Sequence, residues 1–190
     1  EPWTSRNIGF SDAAEVFVLL AGVAAAFAFF KRFAGGARAE MTRKAYRRVG
    51  TLYLAHVGST IVAVALFCGV YWITGQYGYL DLIGVGPLVE NPWPAVVGVL
   101  TGGSQLGYFN ILSMYVVLLA ALPAMLWLAV RDVRLMLAVS LCVYLVAQVF
   151  NVTMPSYPDE HAWFFNPLAW QLIFAIGLAL GILRLNGGCV

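Results

Sequence analysis

The chain has 190 residues, 62% of them hydrophobic and 11% charged. A soluble domain carries about 25% charged residues, so the apolar surplus here exceeds what one core can take up and must face lipid. The net charge of +2 gives no electrostatic footprint for nucleic acid, and Cys68, Cys142 and Cys189 are too scattered for a disulfide framework or a metal site.

A membrane span needs about 20 largely apolar residues, and five segments qualify, near 12–31, 49–73, 109–130, 134–152 and 164–184. The first opens on "GFSDAAEVFVLLAG" (9–22), with Asp12 and Glu15 at its mouth. Asp12 suits the cap of the first turn, and Glu15, three residues on, completes a capping box at the positive end of the helix dipole. Residues 12, 15, 19, 22 and 26 share one helical face. That face is polar at its outer end and lined below by small residues, so it is predicted to turn towards other helices.

The second span carries His56 about two turns in, with Tyr53 on the same face. An imidazole at this depth reads either as a hydrogen-bonded packing residue or as a base or donor near the mouth. Arg47 and Arg48 at its start suit snorkelling and topology, or the phosphates of a soluble donor. Between the second and third spans, 74–108 is rich in Gly, Pro and aromatic residues, and Pro92-Trp93-Pro94 opens an apolar stretch too short to cross. Asn110 starts the third span, and Gln148 nears the end of the fourth. Asn166-Pro167 opens the fifth, with Asn as cap and Pro in the first turn, and Trp170 and Gln171 follow one turn later. Each polar group reads alone as a cap or an interhelical tie; together they line a cavity for a polar ligand. Gly177 and Gly181 form a G-x-x-x-G packing face. No G-x-S-x-G, Walker A, C-x-x-C or H-E-x-x-H motif occurs.

Ten of the eleven Lys and Arg fall between the first and second spans, between the third and fourth, or after the fifth; only Arg6 lies on the other side. The positive-inside rule makes the ten-cation side cytoplasmic, so the start of the chain and the 74–108 and 153–163 loops are expected to face outward.

Four blocks, "RNIGFSDAAEVFVLLAG" (6–22), "RRVGTLYLAH" (47–56), "YFNILSMYVVLLA" (108–120) and "WFFNPLAWQLIFAIG" (163–177), resemble in order the OpgC family of the wider membrane acyltransferase-3 group. These are bacterial inner-membrane proteins that succinylate osmoregulated periplasmic glucans. The resemblance implies an all-α, polytopic transmembrane bundle of about ten helices, of which residues 1–190 would be a partial membrane acyltransferase domain. It places the histidine usually assigned to catalysis in a helix upstream of Glu1, so that the chain is expected to be a fragment, inactive alone. It implies acyl-CoA, with succinyl-CoA foremost, as the donor substrate, a periplasmic glucan as the acceptor, and no bound cofactor or metal. On this reading Asp12, Glu15 and His56 are the catalytic candidates of the chain. Arg6, Asn110, Asn166, Trp170 and Gln171 face the acceptor, and Arg47 and Arg48 the acyl-CoA. Asn110 stands where many relatives carry Asp, and an amide cannot serve as a base. A transporter or flippase for a polar or saccharide substrate is the alternative that equally explains polar groups among apolar helices.

Overall fold

The computed structural model describes residues 13–81, 92–103, 110–154, 163 and 165–187. They are all-helical, with no strand among them. In chain order the helices are α1 (Ala13–Ala34), α2 (Arg38–Thr74), α3 (Gly78–Asp81), α4 (Pro92–Thr101), α5 (Asn110–Arg131), α6 (Val133–Val149) and α7 (Pro167–Leu185). Four of these, α1, α2, α5 and α7, are long and apolar enough to cross a membrane. The fourth predicted span forms α6, which is apolar but only 17 residues long, about 25 Å at 1.5 Å per residue. The short stretch opened by Pro92 is a helix of 10 residues, far below spanning length, as its sequence requires.

Lipid is the only solvent that suits the surface. On α2, Leu54, Ile61, Val62, Leu66, Trp72 and Ile73 are all exposed, Trp72 at 89%. Such a continuous apolar face would be strongly unfavourable in water. With four helices of this kind the protein is a multi-pass membrane protein.

The second span begins earlier than its apolar stretch. The cationic segment 38–46, which precedes the expected span, forms the first turns of α2, a helix of 37 residues. Ala, Glu, Met, Arg and Lys are good helix formers, and no Gly or Pro interrupts them before Gly50. The helix is about 55 Å long, more than a hydrocarbon core of about 30 Å, so the hydrocarbon does not hold all of it. The turn before it is set by glycine. Gly36 has φ +100°, Ala37 N–H donates to the Arg32 carbonyl at 3.0 Å, and Gly36 N–H donates to that of Phe33 at 3.3 Å. This is a Schellman cap that closes α1.

The residues divide into two compact units. The first comprises Glu1–Tyr46, Ala120–Val152 and Leu168–Val190. Its core is a seam in which α1 and α7 touch backbone to backbone. A methyl group on Gly22 would collide with the Phe174 carbonyl and lie 2.9 Å from Leu178 N; one on Gly177 would strike the Leu19 carbonyl; one on Gly181 would come within 3.0 Å of the Val23 carbonyl. The small-residue face read from the sequence on α1 and the G-x-x-x-G pair on α7 are therefore the two sides of one contact. Just beyond Ala25 the helix widens into a π-helical stretch, Ala26–Phe30, and Phe29, Phe30 and Phe33 are all buried. Gln171, 7% exposed, ties α7 to α6: its side-chain amide donates to the Ser140 carbonyl at 2.7 Å. Asp132 alone joins α5 to α6, and its carboxylate caps α6 by accepting from Arg134 N–H at 2.8 Å.

The second unit comprises Arg47–Leu119 and Thr153–Pro167. Here α4 packs on the middle of α2, with Leu80 and Val99 buried against Val64, Cys68 and Tyr71. The Tyr53 hydroxyl donates to the carbonyl of Leu100, so one end of α4 is fixed to the α2 turn that precedes His56.

The seam makes a sharp expectation. Gly177→Leu forces a side chain into backbone and should prevent accumulation of folded protein, while Gly177→Ala should lower the thermal midpoint, overpacking costing about 1–3 kcal/mol. Gly50→Ala, where a methyl group meets nothing within 4 Å, should be neutral or slightly stabilising. Thermal denaturation of the three variants in detergent orders them; equal midpoints for Gly177→Ala and Gly50→Ala would mean the seam gives way freely.

Gln171→Leu keeps the side chain's bulk and removes the tie to Ser140. Its expected cost is about 0.6 kcal/mol, the mean for interhelical hydrogen bonds in a bilayer, read in the same assay. A loss several times larger would show that more than this bond depends on the amide.

Candidate functional site

The residues named from the sequence do not all fall together. Arg6 and Asp12 lie outside the described residues, as does the side chain of Asn110. Glu15, Trp170 and Gln171 belong to the first unit, and Arg47, Arg48, His56 and Asn166 to the second.

In the first unit the seam sets a register. Gly22 lies against Phe174 and Gly177, and Ala26 against Gly181, so α1 and α7 run parallel. One and a half to two turns back from Gly22, Glu15 is level with the start of α7, where Trp170 and Gln171 stand. The two helices thus bring a half-buried carboxylate, an indole and a carboxamide to the same end of one helix pair. Gln171 is committed there to packing, since its amide donates both to Ser140 and, at 3.4 Å, to the Leu168 carbonyl one turn back. That favours the interhelical role over acceptor binding for this residue. Pro167 is the first residue of α7 and Asn166 immediately precedes it, the order expected of a cap followed by a proline in the first turn. Gln148, read from the sequence as approaching the same mouth, is exposed on α6.

The second unit holds the unusual group. His56 is only 2% exposed, and neither Nδ1 nor Nε2 has a hydrogen-bond partner among the described residues. Its neighbours on α2 do not supply one. Ser59 Oγ and Thr60 Oγ1 both donate to the backbone carbonyl of His56, at 2.9 and 2.8 Å, rather than to its ring. Tyr53, one turn before, donates to Leu100. These three hydroxyls are each donated to a backbone carbonyl. An uncompensated polar atom in the interior costs about 1–3 kcal/mol, and a native protein that keeps one needs a reason. On the same helix, Val57, Thr60, Ile61 and Val64 border, with Val99 and Leu100 of α4, an apolar hollow of about 360 Å³, which His56 itself does not line. Arg47 and Arg48 are exposed on the same helix, about 12 Å before His56 along its axis.

Sequence reasoning located His56 and offered two roles for it. Among the described residues the ring has no hydrogen-bond partner, so the packing role finds no partner there. The redirected hydroxyls have a partial sequence signal, since Ser and Thr at i+3 and i+4 in a helix commonly bond back to the preceding turn. The role of Tyr53 in holding α4 had no such signal.

A family model described as OpgC protein matches residues 1–188. No curated protein and no solved structure matches the chain. A match over nearly all the residues, on a chain of long apolar helices, identifies the chain as a member of the OpgC family, membrane proteins with a glucan-modifying function of succinyltransferase type.

Proposed function

We propose that the protein is an integral-membrane O-acyltransferase that moves a succinyl or other acyl group from acyl-CoA to a hydroxyl of a periplasmic glucan. Its place is the bacterial inner membrane, with the ten-cation side in the cytoplasm. Family membership supports the reaction class. The observation that carries the mechanism is the buried imidazole of His56 with both nitrogens unengaged by the described residues. A neutral imidazole in a water-poor site is suited to proton transfer at neutral pH. The acceptor oxygen attacks the thioester carbonyl as a base takes its proton, His56 being this chain's candidate beside the histidine that the family resemblance places upstream of Glu1. A C–O bond forms, the C–S bond breaks, and the proton passes to the departing thiolate. Arg47 and Arg48 hold the donor's phosphates at the inner mouth. Glu15, at its helix end beside the start of α7, accepts hydrogen bonds from sugar hydroxyls.

The intact protein in liposomes, given radiolabelled succinyl-CoA and a glucan, should transfer label to the glucan. His56→Ala should reduce transfer by about 10²-fold or more at normal membrane levels, the lower range of general acid–base contributions. Full transfer by His56→Ala would place the base elsewhere. Passage of unmodified glucan across the vesicle wall with no label transferred would make the protein a transporter.

Orientation is tested separately. In a background lacking Cys68, Cys142 and Cys189, single cysteines in 33–46 and 75–105 are treated with an impermeant thiol reagent on spheroplasts. Labelling is expected in 75–105 alone, from the ten-to-one division of cations. The reverse pattern would invert the protein and with it the assignment of donor and acceptor sides.

A further inference from the structure

Within the first unit a second concavity, of about 750 Å³, opens where the end of α1 and the cationic start of α2 meet α5. Phe33, Arg38, Arg43 and Tyr46 form one side of it, and Pro123 and Trp127 the other. Its chemistry is divided. Most of the wall is hydrocarbon and aromatic ring, and the charge on it is that of two guanidinium groups. Among the described residues neither arginine has a carboxylate partner; Glu40, the nearby acid, is bound instead by Arg32 at 2.7 Å. In the facing wall, the guanidinium of Arg131 lies 3.2 Å over the ring of Trp127.

The hollow also has a direction. Arg131 ends α5, at the level where arginine and tryptophan mark the boundary between headgroups and hydrocarbon. Pro123 is eight residues earlier in the same helix, about 12 Å deeper. On α2 the two arginines stand about 7.5 Å apart along the axis, and the facing α5 wall of Pro123, Ala124 and Trp127 carries no charge, so charge and apolar surface meet across the hollow. Pro123 has no N–H to offer, so that section of wall presents no donor from residue 123. A wholly polar ligand would leave the α5 wall unused. An uncharged lipid would leave the two arginines unpaired.

We propose that this hollow is a binding site for an anionic phospholipid of the leaflet facing the cation-rich helix ends. Arg38 and Arg43 hold the headgroup phosphate, and one acyl chain follows Pro123 and Trp127 downward. Guanidinium groups bind phosphate oxygens through paired, charge-assisted hydrogen bonds, and basic side chains at an anionic leaflet gain further from the surface potential. The site is distinct from Arg47 and Arg48, which do not line it, and it does not depend on the acyl-transfer reading.

Native mass spectrometry of the intact detergent-solubilised protein, offered equal amounts of phosphatidylglycerol and phosphatidylcholine, tests it. One phosphatidylglycerol should be retained under conditions that strip phosphatidylcholine. The paired substitution Arg38→Gln with Arg43→Gln should weaken that retention by about tenfold or more. Ala124→Trp, at an exposed position in the wall, should also abolish it by filling the hollow while leaving every charge in place. Arg47→Gln with Arg48→Gln should leave retention unchanged, and excess coenzyme A should not displace the lipid. Equal retention of the two lipids, or retention unaffected by the Arg38 and Arg43 pair or by Ala124→Trp, overturns the site. Equal loss in the Arg47 and Arg48 pair reduces the effect to general charge and overturns it too. Displacement by coenzyme A would make the hollow a nucleotide site and refute the lipid.

Discussion

The contact between α1 and α7 constrains everything built on the first unit. Apolar side chains gain little from meeting each other in a solvent of hydrocarbon, so helices there associate through close packing and hydrogen bonds. Gly22, Gly177 and Gly181 remove the side chains that would hold two backbones apart. With the backbones touching, the register of the pair is fixed, and with it the level of Glu15 against Trp170 and Gln171. The same seam fixes α7 as the helix to which α6 is tied, because Gln171 lies one turn before Phe174 on α7 and reaches Ser140. Polar geometry at the helix ends is thus a consequence of three missing side chains in the middle.

Hydrogen bonding in a bilayer leaves little freedom, since no bulk water competes for unpaired groups. The described polar side chains of the spans follow this closely. Thr51, Ser59, Thr60 and Thr74 donate to carbonyls of their own helix, Tyr53 to the end of α4, and Gln171 to α6. Against that pattern, the imidazole of His56 stands out. Ser59 and Thr60 are within one turn of it and could have served it, but both are turned to its carbonyl. A packing histidine would be the cheapest one to satisfy. Its isolation among the described residues is what the proposed proton transfer rests on.

Composition and cation placement made the fold class legible, because both follow from the cost of placing charge in hydrocarbon. The glycine pattern on α1 and α7 was legible as two separate packing faces; that they face each other needed coordinates. The expected span 49–73 lies within α2, whose helix also takes in the cationic segment before it, because charge does not break a run of good helix formers. Gln171 was read as lining a cavity or as a tie between helices, and only the position of Ser140 favours the tie. His56 was visible as a polar residue within a span, while the direction of Ser59 and Thr60 beside it had only a partial signal, the habit of helical Ser and Thr of bonding back to the preceding turn.

The cationic residues show most clearly why composition and geometry answer different questions. Counting places seven Lys and Arg between the first two spans, and the count alone speaks to topology. Geometry then separates them. Arg32 is paired with Glu40, Lys44 lies 5.3 Å over the ring of Phe29, and Arg38 and Arg43 border a hollow that an apolar wall continues inward. Topology is served equally by a cation in any of these states. An arginine with no acid of its own, set above a cleft in hydrocarbon, has a further property that topology does not require: it is most stable when an anion with an apolar tail completes the wall.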